Sequence, residues 1–479
     1  MFHFGSRVAW VSLTLAALSA NGIFRSTSMA QEREAAPLRA GFASVDITPT
    51  RPTPMAGYYR ARLSTETHDP LLAKATVLDD SQTKVAIVVI DLISTNKFMV
   101  EQARKLVTER TGIPADHVMI SATHSHTGPV LFNPDSSRAG SFGGDLPETA
   151  RYMDELPAKI ADCVAAAANA MQSVTVKRAE AVEPELAFNR RFFMLDGTVG
   201  WNPGKLNPRI VREAGPTDDR LPFIAFLDDE GELLAIHANF SIHLDTVGGT
   251  QWSADMPHTF AKNLRESLGE QLHVQYTTGT CGDINHIDVR TAMPQKGHAE
   301  ASRIGTRLAA AVLRSIGDLE PAQGTKLQVT RSGVALPLAP HTEEDITWSK
   351  DIAARAGDPT PPAFMEMVKA FRVRDVERQD GVPIAAEVGT VTLGRDVAWV
   401  FLPGEIFVQL GMDIKAGSPF DTTIIPELAG GSVGYVPTRQ AYPQGNYEVV
   451  SARVAEGSGE MLVDEALRQL MQHFQKSAD

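Results

Sequence analysis

A nearly continuous apolar run from Lys84 to Ile93 constrains the fold of this chain most, because its pattern is typical of a strand buried on both faces. Residues 97–111 then show helical spacing of apolar side chains, and Val118–Ala122 is a second short apolar run. Two buried strands joined by a helix predict a parallel pair, because parallel strands need a crossover connection. The sequence therefore predicts a mixed α/β fold.

Further strand and helix signals alternate along the rest of the chain. Leu221–Ile242 predicts two strands joined by a turn at Asp228–Gly231, and residues 298–315 show strong helical periodicity. Residues 341–375 are charged and mostly helical in pattern. Because neither internal repeats nor a low-complexity linker interrupts these signals, residues 31–479 are expected to form one large domain.

The first 30 residues have the pattern of a signal peptide and are not expected to be part of the fold. Arg7 precedes the apolar run Val8–Ala20, and Ser28–Ala30 supplies a small-x-small cleavage signal before Gln31. The apolar run is too short to span a bilayer well, and no later stretch resembles a transmembrane helix. We therefore expect a mature protein that is exported, periplasmic or secreted, and soluble.

The composition excludes some classes of function. With 43% hydrophobic and 22% charged residues, the chain resembles ordinary soluble globular proteins. Removing the two arginines of the signal peptide changes the formal charge from −13 to −15. Such an acidic protein is a poor candidate for binding nucleic acid or anionic membrane surfaces.

Cys163 and Cys281 are the only cysteines in the sequence. They could pair in an oxidising compartment, but two cysteines do not form a disulfide framework. Because Cys163 lies in an apolar helical run, it is expected to be a small core residue.

Two histidines follow the strand Val118–Ala122, and Gly128-Pro129 then breaks any regular element. On an extended backbone His124 and His126 would point the same way, because side-chain direction alternates with a period of two. The two imidazoles could then converge on one metal ion, or one could bind metal beside an acid/base. The alternative is that both are polar residues satisfied by their neighbours at a strand end.

Three more apolar strands end in residues that can bind metal or transfer protons. These residues are His243; then Asp283, Asn285, His286 and Asp288; and finally Glu405. Strand ends next to loops are where α/β proteins usually place their chemistry. Two or three histidines with a carboxylate are standard zinc ligands that leave a position open for water. Any one of these residues could be a solvated loop residue, but four such strand ends together favour one convergent zinc site.

A series of short motifs runs along the chain. The motifs are Asp46–Pro49 with Pro54–Tyr58; Ser121–Pro129; Phe188–Arg190; Asn239–His243 with Ser253–Asp255; Pro403–Glu405; and Gly434–Tyr435 with Tyr447–Glu448. In their order and rough spacing, over residues 38–455, they resemble the neutral/alkaline ceramidases, zinc-dependent amidases that split the N-acyl bond of ceramide. The resemblance implies a ceramidase-type fold and hydrolysis of an amide.

Matched by position, the resemblance also implies site residues. The implied zinc ligands are His124, His243, Glu405 and Tyr435. A tyrosine ligand is more labile than imidazole, so it could yield to substrate or stabilise the developing oxyanion. His126 would transfer protons or polarise the amide carbonyl. Arg190 and Tyr447 match positions that contact the reacting amide; without the resemblance they could be a surface ion pair and a half-buried aromatic residue.

The sequence departs from the family pattern in two places. In the loop Gly282–Ile287, which keeps Asp283 as a candidate site residue, Asn285 stands where the family has a serine. An amide cannot be acylated, so we expect zinc-activated water to attack while Asn285 donates a hydrogen bond to the oxyanion. The chain also stops soon after Tyr447, so the C-terminal β-sandwich of longer family members is expected to be missing. Both departures leave the identity of the substrate open.

Two functions of different classes are consistent with these patterns. The first is an exported zinc hydrolase acting on an amide or, less readily, on an ester. The second is a non-catalytic relative that keeps the pocket as a binding module for lipid or sugar. The intact ligand set favours the enzyme, whereas the lost serine favours the binding module.

Overall fold

The computed structural model describes residues 37–132, 136–137 and 142–477, so the predicted signal peptide lies outside the described residues. The α-helices are α1 (Lys97–Thr111), α2 (Pro147–Asn169), α3 (Met256–Leu268), α4 (His298–Ser315), α5 (Glu343–Ala354), α6 (Phe364–Glu377), α7 (Val408–Gly417), α8 (Tyr447–Ser451) and α9 (Ser458–Lys476). Within the described part of the chain, no helix is both long and apolar enough to cross a membrane.

The strands are short and alternate with these helices. In chain order they are β1 (Arg39–Asp46), β2 (Glu66–Thr67), β3 (Leu72–Asp79), β4 (Lys84–Ile90), β5 (Val118–Ala122), β6 (Gln172–Ser173), β7 (Thr175–Val182), β8 (Phe188–Asn189), β9 (Arg191–Met194), β10 (Val199–Trp201), β11 (Ile210–Glu213), β12 (Arg220–Leu227), β13 (Leu233–Phe240), β14 (Gln251–Trp252), β15 (His273–Thr278), β16 (Ile284–Asn285), β17 (Glu320–Pro321), β18 (Leu327–Leu336), β19 (Ile384–Leu393), β20 (Val397–Phe401), β21 (Glu405–Ile406), β22 (Thr422–Ile424) and β23 (Tyr435–Val436).

The first sheet, with the order β5-β4-β3-β1-β6, contains the parallel pair that the sequence predicts. β4 and β5 run parallel, and the last residues that pair are Ile90 and Ala122. α1 forms the crossover between the two strands. α1 begins after Asn96, whose side chain accepts a hydrogen bond from the N–H of Met99. It ends at Gly112, whose φ of 72° is readily adopted by glycine. The predicted mixed α/β fold is confirmed.

Two further sheets repeat this arrangement of antiparallel strands with one parallel edge pair. The second has the order β15-β13-β12-β7-β17, with β13 parallel to β15. The third has the order β18-β19-β20-β22, with β20 parallel to β22. The hairpin predicted around Asp228–Gly231 joins β12 to β13, and the helical pattern of residues 341–375 corresponds to α5 and α6.

The sheets share one core. Each sheet has one face covered by helices. The first sheet packs against α1 and α2, the second sheet against α3 and α4, and the third sheet against α7 and α9. Apolar residues from all three sheets, including Met119, Phe226 and Trp399, form a common cluster. This packing gathers the chain segments that follow β5, β13 and β20, each of which carries candidate site residues.

Both cysteines are buried and free. The Sγ of Cys163 in α2 contacts the carbonyl oxygens of Ala43 and Ala73 at 3.4 and 3.3 Å. The Sγ of Cys281 lies 3.0 Å from Oε1 of Glu427. Cys163 is therefore a core residue, as predicted, and the two thiols do not pair.

Candidate metal centre

The chain turns sharply after β5 and directs two imidazoles into one site. His124 has a φ of 76°, in the left-handed region that few non-glycine residues adopt. Its N–H donates to the carbonyl oxygen of Leu92 at 2.9 Å, which holds the turn. The extended backbone expected here is therefore wrong. The rings of His124 and His126 nevertheless lie close together, with centroids 4.9 Å apart.

Three imidazole nitrogens converge in this site. The Nδ1 atoms of His124 and His126 contact the carbonyl oxygens of Ile93 and Gly57 at 2.6 and 3.1 Å. Because a carbonyl accepts, Nδ1 carries the proton in both rings and Nε2 presents a lone pair. The Nε2 of His243 lies 2.9 and 3.2 Å from those two Nε2 atoms. One proton on His243 could satisfy only one of these contacts, whereas a metal ion could bind all three nitrogens.

Burial keeps the histidines in the form that binds metal. It lowers the pKa of His126 to about 4, with the neighbouring His124 as the second cause. It also lowers the pKa of His243 well below its ordinary value. Neutral imidazole is the form that coordinates a metal ion. The ligand atoms of His124, His126 and His243 all lie within 4.8 Å of one another, so these residues could hold a metal.

Glu405 and Tyr435 join the histidines through a strand pair after the third sheet. Glu405 in β21 lies opposite Tyr435 in the parallel strand β23, and their side chains are hydrogen-bonded. An Oε2 of Glu405 lies 3.5 Å from Nε2 of His124. Burial raises the pKa of Glu405, but its polar neighbours, His124 first and then the hydrogen bond from Tyr435 and the charge of Arg190, outweigh burial and lower the carboxyl pKa. Glu405 is thus an ionised ligand candidate.

Arg190 connects Tyr435 to the chain around Tyr447. Its Nη2 donates to the hydroxyl of Tyr435 at 3.1 Å and to the carbonyl oxygen of Gly282 at 2.7 Å. Its Nε donates to Glu448 at 2.8 Å. The ring centroids of Tyr435 and Tyr447 are 5.3 Å apart, and burial raises the pKa of Tyr447, which keeps its hydroxyl protonated. Arg190 is therefore a buried group that holds the hydroxyl of Tyr435.

Asp283 lies in the loop after β15, Asn285 lies in the short strand β16 that follows, and both hold neighbouring chain segments. Asp283 accepts hydrogen bonds from the N–H of Val408 and the amide of Asn189, both at 2.8 Å. Burial raises the pKa of Asp283 to about 6. The amide of Asn285 donates to Oδ1 of Asn202 at 2.9 Å. Both side chains thus have partners outside the histidine group.

A cavity of about 280 Å³ opens beside the histidines. Five of the predicted site residues line it, namely His124, His126, Glu405, Tyr435 and Tyr447. Tyr59, Phe142 and Phe371 form an aromatic side of the same cavity, with ring centroids between 5.9 and 6.3 Å apart. The other predicted site residues are not among the described residues that line the cavity; they are Arg190, Asp283, Asn285 and His243.

The sequence interpretation missed one acidic residue at this site. Asp245 lies 3.3 Å from Nδ1 of His286, and the hydrogen bond and charge of that imidazole outweigh burial, so the pKa of Asp245 is lowered well below its ordinary value. Its charge also acts on His126 and His243. Asp245 stands two residues after His243, and this closeness in the sequence to a candidate ligand is the signal that could have found it.

The fold is similar to that of solved ceramidases. A neutral ceramidase from Pseudomonas aeruginosa superimposes with a TM-score of 0.71 at 18% sequence identity, over 92% of this chain and 75% of that one. A ceramidase complexed with C2 gives 0.71 at 17% identity, over 91% and 76% of the two chains. No family model and no curated protein matches the sequence. At this identity the likeness establishes the fold, which is that of the ceramidases.

Proposed function

We propose that this chain is an exported zinc-dependent hydrolase of the ceramidase type, cleaving an N-acyl amide bond in ceramide or another lipid amide. The observation that carries the proposal is the convergence of the Nε2 atoms of His124, His126 and His243, with the carboxylate of Glu405 beside them. The similarity of the fold to neutral ceramidases supports amide hydrolysis as the reaction.

The residues present fit zinc. The Nε2 atoms of His124 and His243 lie 2.9 Å apart, and Oε2 of Glu405 lies 3.5 Å from Nε2 of His124, so two imidazoles and a carboxylate, a standard set of zinc ligands, meet at one place. We propose as ligands His124, His243, Glu405 and Tyr435. When bound, zinc would supply a Lewis acid for the amide carbonyl and activate water for attack.

His126 is the proposed proton-transfer residue. Its Nδ1 donates to the carbonyl oxygen of Gly57, which fixes the ring and leaves the Nε2 lone pair directed into the site. The ring lines the cavity and is neutral at pH 7, because burial lowers its pKa to about 4. A neutral imidazole in this orientation can accept a proton from water and return it to the leaving amine.

Tyr447 is the proposed donor to the charge that develops on the carbonyl oxygen. It lines the cavity, and its raised pKa keeps the hydroxyl protonated and able to donate. Asn285, the residue predicted for this role, already donates to Asn202 and lies outside the described cavity lining. The role of Asn285 stays a prediction, and we expect Tyr447 to contribute more.

Aromatic residues at the cavity support a substrate with an apolar part. Phe364 at the start of α6 stacks on Tyr447 and on Trp201, with ring centroids 5.5 and 5.8 Å apart. The cavity of about 280 Å³ is near the lower end of the range of roughly 300–1,000 Å³ usual for small-molecule sites. We expect it to hold the amide and the adjoining part of an acyl group, with a longer chain extending past Phe364.

The test uses purified residues 31–479 with a panel of N-acyl amides of increasing chain length. We expect hydrolysis that is abolished by a chelator and restored by zinc. His124→Ala and His243→Ala should each lose metal and activity together, because each removes a ligand. His117→Ala is the matched control: this histidine lies at the opposite end of β5, with Nδ1 2.9 Å from the carbonyl oxygen of Lys84. It should keep both metal and activity.

Two outcomes would contradict the proposal. Full activity in a metal-free preparation would exclude zinc hydrolysis. A protein that binds zinc through His124 and His243 but is inert on every amide and ester of the panel would instead be the binding module.

Export is a separate part of the proposal, supported by the signal-peptide pattern of residues 1–30. N-terminal sequencing of periplasmic or secreted protein should begin at Gln31 or within a few residues of it. Soluble cytoplasmic protein with an intact Met1 would contradict export and leave the proposed chemistry unaffected.

A further inference from the structure

A second group of potential metal ligands lies outside the proposed active site. It consists of His68, Asp69 and His298, which we call the second histidine cluster. One ligand atom from each residue lies within 4.8 Å of the others. The rings of His68 and His298 are stacked, with centroids 3.6 Å apart. The two rings and the carboxylate thus lie together in one small region.

Several chain segments build this cluster. His68 and Asp69 directly follow β2, which pairs with β14, and the N–H of His68 donates to the carbonyl oxygen of Trp252 at 3.0 Å. His298 is the first residue of α4. Its Nε2 lies 3.2 Å from Oε1 of Gln251, an acceptor, so that nitrogen carries the proton and Nδ1 presents the lone pair.

Asp69 supplies an oriented carboxylate. Its side chain is only 5% exposed. Its two oxygens accept hydrogen bonds from the N–H of Ala254 at 2.6 Å and from Oγ of Ser253 at 2.8 Å. An ionised carboxylate can accept about four such contacts, so these two bonds fix the group without exhausting it. A fixed carboxylate beside two imidazoles is a ligand set suited to a divalent transition metal.

We propose that His68, Asp69 and His298 bind a second zinc ion, separate from the one proposed at His124 and His243. The Nδ1 lone pair of His298 and the oriented carboxylate of Asp69 favour this binding. His68 is exposed and His298 half-buried, so the ion can enter from solvent and keep water as its remaining ligand.

The second ion would also stabilise the loop that carries the proposed catalytic histidines. Asp69 holds the side chain of Ser253. The carbonyl oxygen of Ser253 accepts hydrogen bonds from Oγ of Ser125 at 2.7 Å and from Oγ1 of Thr127 at 2.8 Å. These two residues flank His126. A metal bound to Asp69 is therefore connected to the loop around His126 through two successive hydrogen bonds, from Asp69 to Ser253 and from Ser253 to that loop. By holding Asp69 it helps to position the loop.

The experiment measures zinc content and affinity in the wild type and in His68→Ala, His298→Ala, His124→Ala and His117→Ala, using residues 31–479. Wild type and His117→Ala should each hold about two zinc ions. His68→Ala and His298→Ala should each lose one and keep the other, with zinc affinity at the second histidine cluster falling by more than about 100-fold, since loss of even an outer-shell partner costs roughly 10- to 100-fold.

Thermal unfolding with added zinc provides a readout independent of activity. Zinc should raise the melting temperature of His124→Ala, which keeps the second histidine cluster intact, by more than that of the double variant His124→Ala/His298→Ala. If wild type and His298→Ala each hold about one zinc ion with the same affinity and His124→Ala holds none, the second site is overturned and the active-site proposal stands. If the only zinc is lost in His298→Ala and kept in His124→Ala, the second site is supported and the active-site proposal fails.

Discussion

The Nε of Arg190 donates to Oε1 of Glu448 at 2.8 Å, and both side chains are shielded from solvent. The other oxygen of Glu448 accepts from Nη1 of Arg191 at 2.7 Å. Burial disfavours the charge on Arg190, but Tyr435 and Glu448 outweigh it and raise the pKa of the guanidinium. One fully buried carboxylate thus pairs with two adjacent arginines and fixes the group that donates to Tyr435.

Removing this carboxylate should destabilise the protein strongly. Glu448→Ala leaves two buried guanidinium groups without their partner, a change that costs about 3–5 kcal/mol. Glu448→Gln should cost less, because its amide oxygen still accepts one hydrogen bond. Urea unfolding measures both. As a surface control, Glu266→Ala breaks an exposed i,i+4 pair with Lys262 and should change the unfolding free energy by less than about 0.5 kcal/mol. Equal effects at Glu448 and Glu266 would contradict this account.

Turnover should depend more on Tyr447 than on Asn285. Tyr447→Phe removes the hydroxyl proposed to donate to the developing oxyanion and should lower kcat by ~10²–10³ with zinc still bound. Asn285→Ala should lower kcat less, because its amide already donates to Asn202. Steady-state kinetics with metal analysis on both variants make the comparison. A larger loss of kcat in Asn285→Ala than in Tyr447→Phe would show that Asn285, and not Tyr447, is the main donor to the oxyanion.

Gly57 is required beside His126. Its φ is 105°, and a Cβ there would lie 2.8 Å from Cβ and Nδ1 of the histidine ring. Gly57→Ala should displace that ring, and a shift of ~1 Å at a reacting group can cost about 10²-fold in rate. Gly197→Ala is the matched control, because Gly197 has a φ of 81° and open space around it. If both variants lose activity equally, backbone strain and not contact with His126 is the cause.

Acid should destabilise the protein partly through His237. Burial lowers its pKa from 6.5 to about 3, and its Nδ1 accepts a hydrogen bond from Nε1 of Trp399 at 3.2 Å. Below pH 6.5 the unfolded state therefore binds a proton at His237 that the folded state does not bind. The contribution of His237 to the unfolding free energy is fully present above pH 6.5 and is lost as the pH falls towards 3. From pH 7 to pH 5 the loss for one such group is roughly 2 kcal/mol.

The variant that isolates this effect is His237→Gln, whose side-chain oxygen can still accept from Trp399. Its unfolding free energy should fall by roughly 2 kcal/mol less than that of the wild type over the same pH range. Parallel curves for the two proteins would show that His237 is not the group responsible. The comparison is needed because Asp255 and Asp283, whose pKa values burial raises to about 6, act in the opposite direction.

The sequence by itself determined the local elements and which of their ends carry polar residues. Helix α1 and helix α4 have the predicted bounds, 97–111 and 298–315, and β4 and β5 are parallel. These features follow from apolar periodicity and turn residues, which act over a few neighbours in the chain and can therefore be seen in a linear pattern. The resemblance to ceramidases added the expectation that distant motifs form one site.

Only the tertiary structure decided how those ends meet. The 2.9 Å approach of His124 to His243 and the 3.5 Å approach to Glu405 depend on three sheets packed through one common core. The left-handed turn at His124 and the pairing of His68 with His298 likewise have no local signature. Core packing is the sum of many weak, non-directional contacts between distant residues, so the spacing of residues in the sequence cannot specify it.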